Sequence, residues 1–130
     1  MGLIYGLMTF SFNKKEKLKS RKLIEQLFED GETITQFPLK LFYLETSEDQ
    51  DAKIKVAVSV PKRNFKKAVD RNHIKRLMRE NYRLNKQLIF NNIEGNFAFL
   101  ILYLGKEMPE YQKIEASLVG IFRKFVKEKK

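Results

Sequence analysis

A chain of 130 residues, 43% of them hydrophobic, can bury one packed core and is too short for two ordinary domains, so residues 1–130 read as a single domain. Its 26 Lys and Arg against 16 Asp and Glu leave a formal net charge of +10, which points to a polyanionic partner: RNA, DNA or an anionic membrane surface. The absence of cysteine excludes disulfides and thiolate metal centres and suits a reducing cytoplasm.

The opening ten residues, Met1 to Phe10, are apolar but too few to span a membrane, and no basic segment precedes them as it would in a signal peptide. Residues 1–13 are expected to be a frayed terminus or a hydrophobic lead-in. Residues 14–22 are expected to open a helix that runs to about Asp30, with Ser20 capping its first amides. Ile24, Leu27 and Phe28 recur at helical spacing, and Gly31 is placed to take a left-handed conformation just past the end.

Strands follow. Thr33-Ile34-Thr35 is short and β-branched, and Leu39 to Leu44 alternates Leu39, Leu41 and Tyr43 against Lys40, Phe42 and Leu44. Pro38, which has no amide for a ladder, marks a break or an edge between them. The polar run Thr46 to Asp51 reads as a hairpin loop into a third strand, Ile54 to Val60, with Ile54, Val56, Val58 and Val60 on one face.

Residues 62–86 then gather ten cations (Lys62, Arg63, Lys66, Lys67, Arg71, Lys75, Arg76, Arg79, Arg83 and Lys86) against Asp70 and Glu80, a local net of +8. Charge focused in this way is the footprint of a polyanion partner, most often nucleic acid. On a helix starting near Arg71, Lys75, Arg79, Asn72, Arg83 and Arg76 fall within an arc of about 140°, while Ile74, Leu77, Met78 and Asn81 face the other way. A merely solvated face would interleave acids for i,i+4 support, and this one hardly does. The helix N-terminus adds backbone amides and a partial positive dipole just behind the cationic loop 61–67. Asn72 suits either a turn or a hydrogen bond to a base edge or ribose.

Asn91 to Asn96 is a turn by composition, and Phe97 to Leu104 is apolar enough for a strand buried on both faces. After a break at Gly105 to Pro109, Tyr111, Ile114, Leu118, Phe122 and Phe125 form the stripe of a last helix. The order of elements is that of an α+β fold with helices packed on one sheet.

The run Arg71-Asn72-His73-x-Lys75-Arg76-x-x-Arg79, preceded by Ala68-Val69, resembles the RNR signature of the bacterial ribonuclease P protein subunit. Lys17-Leu18-Lys19, Phe28 and Gly31, Val56 to Val60, and Phe97 to Leu104 extend the resemblance in the right order over most of the chain. His73 stands where the family usually has arginine, Pro61 where a small polar residue is common, and Ile24 where an aromatic is usual. A histidine is neutral for much of the time near pH 7, which weakens its claim to an RNA contact.

The resemblance implies a two-layer α/β sandwich of order αβββαβα, with one mixed sheet and the basic helix in a left-handed crossover against the usual rule. It implies that Lys62, Arg63, Lys67, Arg71, Asn72, His73, Lys75, Arg76 and Arg79 bind a catalytic RNA. It implies also that Phe28, Lys40 and Phe42 hold the single-stranded 5′ leader of precursor tRNA in a cleft between the first helix and the sheet. Aromatic faces stack on bases without reading them, which fits a leader of variable sequence; the apolar spacing of Phe28 and Phe42 equally suits core positions.

Catalytic residues are not expected in this chain, since no acid pair, nucleophile–base pair or phosphate-cradling glycine loop has motif spacing. By resemblance the RNA subunit performs the hydrolysis with Mg²⁺, and no membrane or obligate protein partner is implied. Two rival readings are a general or ribosome-associated RNA-binding protein without a leader cleft, and a DNA-binding regulator. The second lacks a helix placed for a helix-turn-helix.

Overall fold

The computed structural model describes residues 14–46 and 52–129; the expectations for residues 1–13 and for the loop 47–51 lie outside them. Four strands form one sheet: β1 (Glu32–Gln36), β2 (Leu39–Thr46), β3 (Ile54–Ser59) and β4 (Asn96–Tyr103). Five helical segments accompany it. They are a 3₁₀ turn at Lys14–Glu16, α1 (Arg21–Asp30), α2 (Ala68–Asn85), the short α3 (Gln87–Phe90) and α4 (Tyr111–Lys129).

The strands lie in the order β1-β2-β4-β3, with β2 antiparallel to both β1 and β4, and β3 parallel to β4. β2 and β3 therefore do not form the hairpin that the polar run between them suggests, because β4 is inserted between them. β4 carries the most continuous apolar run, and the central position buries it on both faces. The basic helix α2 lies in the connection from β3 to its parallel neighbour β4, as a parallel pair requires a long crossover.

Alternation along β2 and β4 sends side chains to two unequal cores. On one face Leu39, Leu41, Tyr43, Phe97, Phe99 and Ile101 meet Ile74, Met78 and Tyr82 of α2 and Ile114, Leu118, Ile121, Phe122 and Phe125 of α4. On the other, Phe42, Ala98 and Leu100 meet Leu27 of α1 and Leu18. The two-layer sandwich is thereby elaborated by α1, a thin extra layer over β2 and β4.

The first helix begins later than its lysine run suggests. The Ser20 Oγ accepts the Leu23 N–H at 3.2 Å and fixes the start at Arg21. Upstream, the Leu18 N–H donates to the Val56 carbonyl at 2.9 Å, and Lys17 makes a parallel bridge to Val56. The free edge of β3 offers unpaired backbone groups, and the segment before Ser20 takes them in place of helical bonds. Gly31 also differs from expectation: its φ is −68°, not left-handed. Its N–H donates to the Leu27 carbonyl at 3.0 Å, and a Cβ there would lie 2.3 Å from that oxygen, so close approach rather than φ demands glycine.

Candidate nucleic-acid interface

Eighteen residues of α2 separate into the faces that their period dictates. Ile74, Met78, Asn81 and Tyr82 are buried against the larger core, Leu77 is half-buried, and Asn72, His73, Arg76 and Arg79 are exposed, with Lys75 partly so. Among the acids of this helix, Glu80 is committed to Arg83 in an ion pair, and its hydrogen bond raises the Arg83 guanidinium above its ordinary value. The outward face upstream of that pair carries cations with only Asp70 for company, so its field is not cancelled locally.

Ahead of α2, Lys62, Arg63, Lys66 and Lys67 are exposed on a loop anchored by Phe65, which is 7% exposed with its ring 5.9 Å from that of Tyr103. Arg71 holds this loop from the helix side: its Nη1 donates to the Phe65 carbonyl at 2.7 Å and the Lys66 carbonyl at 2.9 Å. Arg71 is thus a tether of the loop as well as a cation of the stripe. No side chain caps the amides at the start of α2; the N-cap is Lys67.

Lys86, the last cation of the run, leaves the surface altogether. It is 6% exposed and its Nζ donates to Glu16 Oε1 at 2.7 Å, with Glu16 itself 4% exposed. Sequence reading counts it in the cationic run of residues 62–86, because its partner is 70 residues away.

The three residues placed in the leader cleft come together beside α1. Phe28 and Phe42 stack edge to face with ring centroids 5.0 Å apart, and Lys40 Nζ stands 5.1 Å from the centroid of Phe42. Their burial differs: Phe28 is 50% exposed, whereas Phe42 at 8% belongs to the smaller core. An edge-to-face pair with one half-open ring and a cation over the other gives a base a surface on which to stack.

On the β3 side of α1 a groove of about 450 Å³ is lined by Lys17, Lys19, Ile24, Val56, Ala57 and Arg79, among others. Ile24 and Phe28 stand one turn apart on the same side of α1, so this groove and the aromatic pair share one helix. Lys17 and Lys19 line this groove, a placement that their sequence pattern, which reads as the opening of a helix, does not reveal. A second hollow of about 530 Å³ near Phe37, Tyr103 and Met108 carries Lys106 and Lys113 matched by Glu107 and Glu110, and so has no net field for a polyanion. Among the described residues, no three His, Asp or Glu side chains gather as a metal site, and no helix is long and apolar enough to cross a membrane.

A family model described as Ribonuclease P matches residues 12–126. The ribonuclease P protein component of Porphyromonas gingivalis is 36% identical over 115 residues, which is 85% of this chain and 82% of the relative. That of Chlorobium phaeobacteroides is 34% identical over 126 residues, covering 87% and 86%. The solved RNase P protein of Staphylococcus aureus superimposes with a TM-score of 0.69 at 18% identity, over 85% of this chain and 94% of that one, a likeness of fold.

Proposed function

This chain belongs to the ribonuclease P protein family, and on that premise we propose how its surfaces divide the work. It is the protein subunit of a ribonucleoprotein endoribonuclease that removes the 5′ leader from precursor tRNA. The chemistry belongs to the RNA subunit with Mg²⁺. The protein's task is to bind that RNA and the leader, in the cytoplasm, and so to improve substrate affinity and the use of Mg²⁺.

The observation that carries this reading is the uncancelled cationic face. Lys62, Arg63 and Lys67 of the loop with Asn72, Lys75, Arg76 and Arg79 of α2 form one basic surface, which binds the catalytic RNA mainly through its phosphates. His73 is exposed on the same helix and adds a hydrogen-bond donor there. Arg71 contributes chiefly by holding the loop carbonyls of Phe65 and Lys66, so the loop cations stay beside those of the helix. Phe28, Phe42 and Lys40 receive the leader by stacking and by charge, without reading its sequence.

Cleavage of a leader-bearing precursor tRNA at low Mg²⁺, by a ribonuclease P RNA with and without this protein, tests the reading. Stimulation is expected, and it is expected to be lost with Arg63→Ala combined with Arg76→Ala, two exposed positions free of the tethers above. Tight RNA binding without any stimulation would leave a general RNA-binding protein instead.

A further inference from the structure

We infer that the buried Glu16–Lys86 ion pair is a positioning device, tying residues 15–19 to the C-terminal end of α2 and so holding them along β3, where Lys17 and Lys19 form a phosphate-binding wall of the groove that Arg79 also lines. This rests on the leader-binding reading above and extends it to a second stretch of the same strand, on the β3 side of α1.

The electrostatics require such a clamp. Residues 15–19 carry three lysines beside a basic helix, and Lys17 and Lys19 line the same groove as Arg79; like charges at that range push the segment outward. Its main chain meets the edge of β3 at a parallel bridge between Lys17 and Val56, to which the Leu18 N–H bond to the Val56 carbonyl belongs, with the Leu18 side chain in the smaller core. Glu16 is the single acid of the segment. It is turned inward to Lys86 at 2.7 Å, and burial, with the Glu16 charge second, raises the Tyr82 hydroxyl above its ordinary value.

A buried ion pair is a poor source of net stability, since desolvation offsets most of the attraction; what it supplies is a defined geometry. Here it ties Glu16, near the start of the segment, to Lys86 at the C-terminal end of the helix that bears Arg79. The exposure of residues 15–19 alternates, with Glu16 and Leu18 inward and Lys15, Lys17 and Lys19 outward. The clamp therefore fixes both the place of the segment and the direction of its cations. The side chains of the groove floor, Ile24, Val56 and Ala57, are apolar and do not select a base by hydrogen bonding, which suits a backbone-tracking contact.

The test uses the holoenzyme reconstituted with ribonuclease P RNA and compares affinities for precursor tRNA with and without a leader across a salt series. In Glu16→Gln the leader-dependent part of the slope of log K against log salt is expected to shrink by about 1.4, as two cations withdraw from a single strand. The Leu18 amide should exchange faster while the amides of β4 stay as protected as in the parent. Should Glu16→Gln not fold, the double variant Lys17→Gln with Lys19→Gln, at exposed positions, must show the same loss of slope with the Leu18 amide still protected.

An unchanged slope in either variant overturns the inference. A parent protein that binds leader-bearing and leaderless substrates equally would instead sink the leader-binding reading, leaving the exchange of Leu18 in Glu16→Gln to decide the clamp alone.

Discussion

On the side of the sheet covered by α2 and α4, Phe99 has 0% exposure and lies 5.1 Å from Phe125 and 6.4 Å from Phe122, ring to ring. On the side under α1, Phe42 meets one ring among the described residues, Phe28, and that ring is half open to water. The same β2 and β4 supply both faces. Among the described residues the difference lies in coverage: two helices of 18 and 19 residues close the first face, while one of ten residues crosses the second. A face closed by large interlocking rings serves stability, and a face left partly open keeps aromatic and cationic groups available to a ligand.

The sharpest way to break that comparison is to truncate one fully buried side chain on each side. Phe99→Ala is expected to cost about 3–5 kcal/mol of folding free energy, as for large core aromatics, read by urea unfolding with unchanged m-value. Leu27→Ala on the thinner side is expected to cost about 2–3 kcal/mol, the low end for a buried leucine, because a site next to an open cleft can collapse or admit water. Equal costs would mean that the thin layer is as firmly packed as the thick one.

Phe28→Ala separates binding from folding. At 50% exposure its stability effect should stay within about 0.5 kcal/mol, whereas leader affinity should fall by about 1–3 kcal/mol if one base stacks there. Titration calorimetry with leader-bearing and leaderless precursors measures it; a stability loss like that of Leu27→Ala would make Phe28 a core residue.

Alkaline pH should weaken the closed face. Burial first, and then the hydrogen bond to Glu128, raises the Tyr43 hydroxyl; burial also raises Tyr82 and Tyr103, and all three sit in the larger core. A folded value above the unfolded one means stability that is complete below the ordinary tyrosine value and is lost as pH climbs beyond it. Unfolding midpoints should therefore hold to about pH 9.5 and fall above about pH 10. A midpoint that rises in that range would contradict the burial of these hydroxyls.

The smallest expected effect is electrostatic. Arg76→Ala and Arg79→Ala should leave folding intact and each reduce the salt slope of RNA-subunit binding by about 1. An unchanged slope for Arg76 would remove it from the contact.

Much of this molecule can be read in the chain because its information is periodic and local. The alternation of Leu39 to Leu44, the apolar run of Phe97 to Leu104, the helical stripe from Ile114 to Phe125 and the inward Ile74 and Met78 all lie where their spacing places them. So does the outward set Asn72, Arg76 and Arg79, since a helix of known start converts spacing to direction. The misread segment is equally local: residues 15–19 alternate between outward and inward, a strand's period of two, and the lysines around them drew a helix reading instead.

What the chain could not disclose depends on pairs that are distant in sequence. Local patterns carry no label for the neighbour of a strand, so only the folded sheet places β4 between β2 and β3. Burial of Lys86 needs Glu16 within reach to offset the desolvation of its charge, and that partner arrives only when the N-terminal segment docks on the edge of β3. The sequence by itself determined the elements, their faces and the cationic stripe, because those follow from period and charge. Tertiary structure alone decided which cations stay in water, and which aromatics stand at an open face, because both depend on what packs against them.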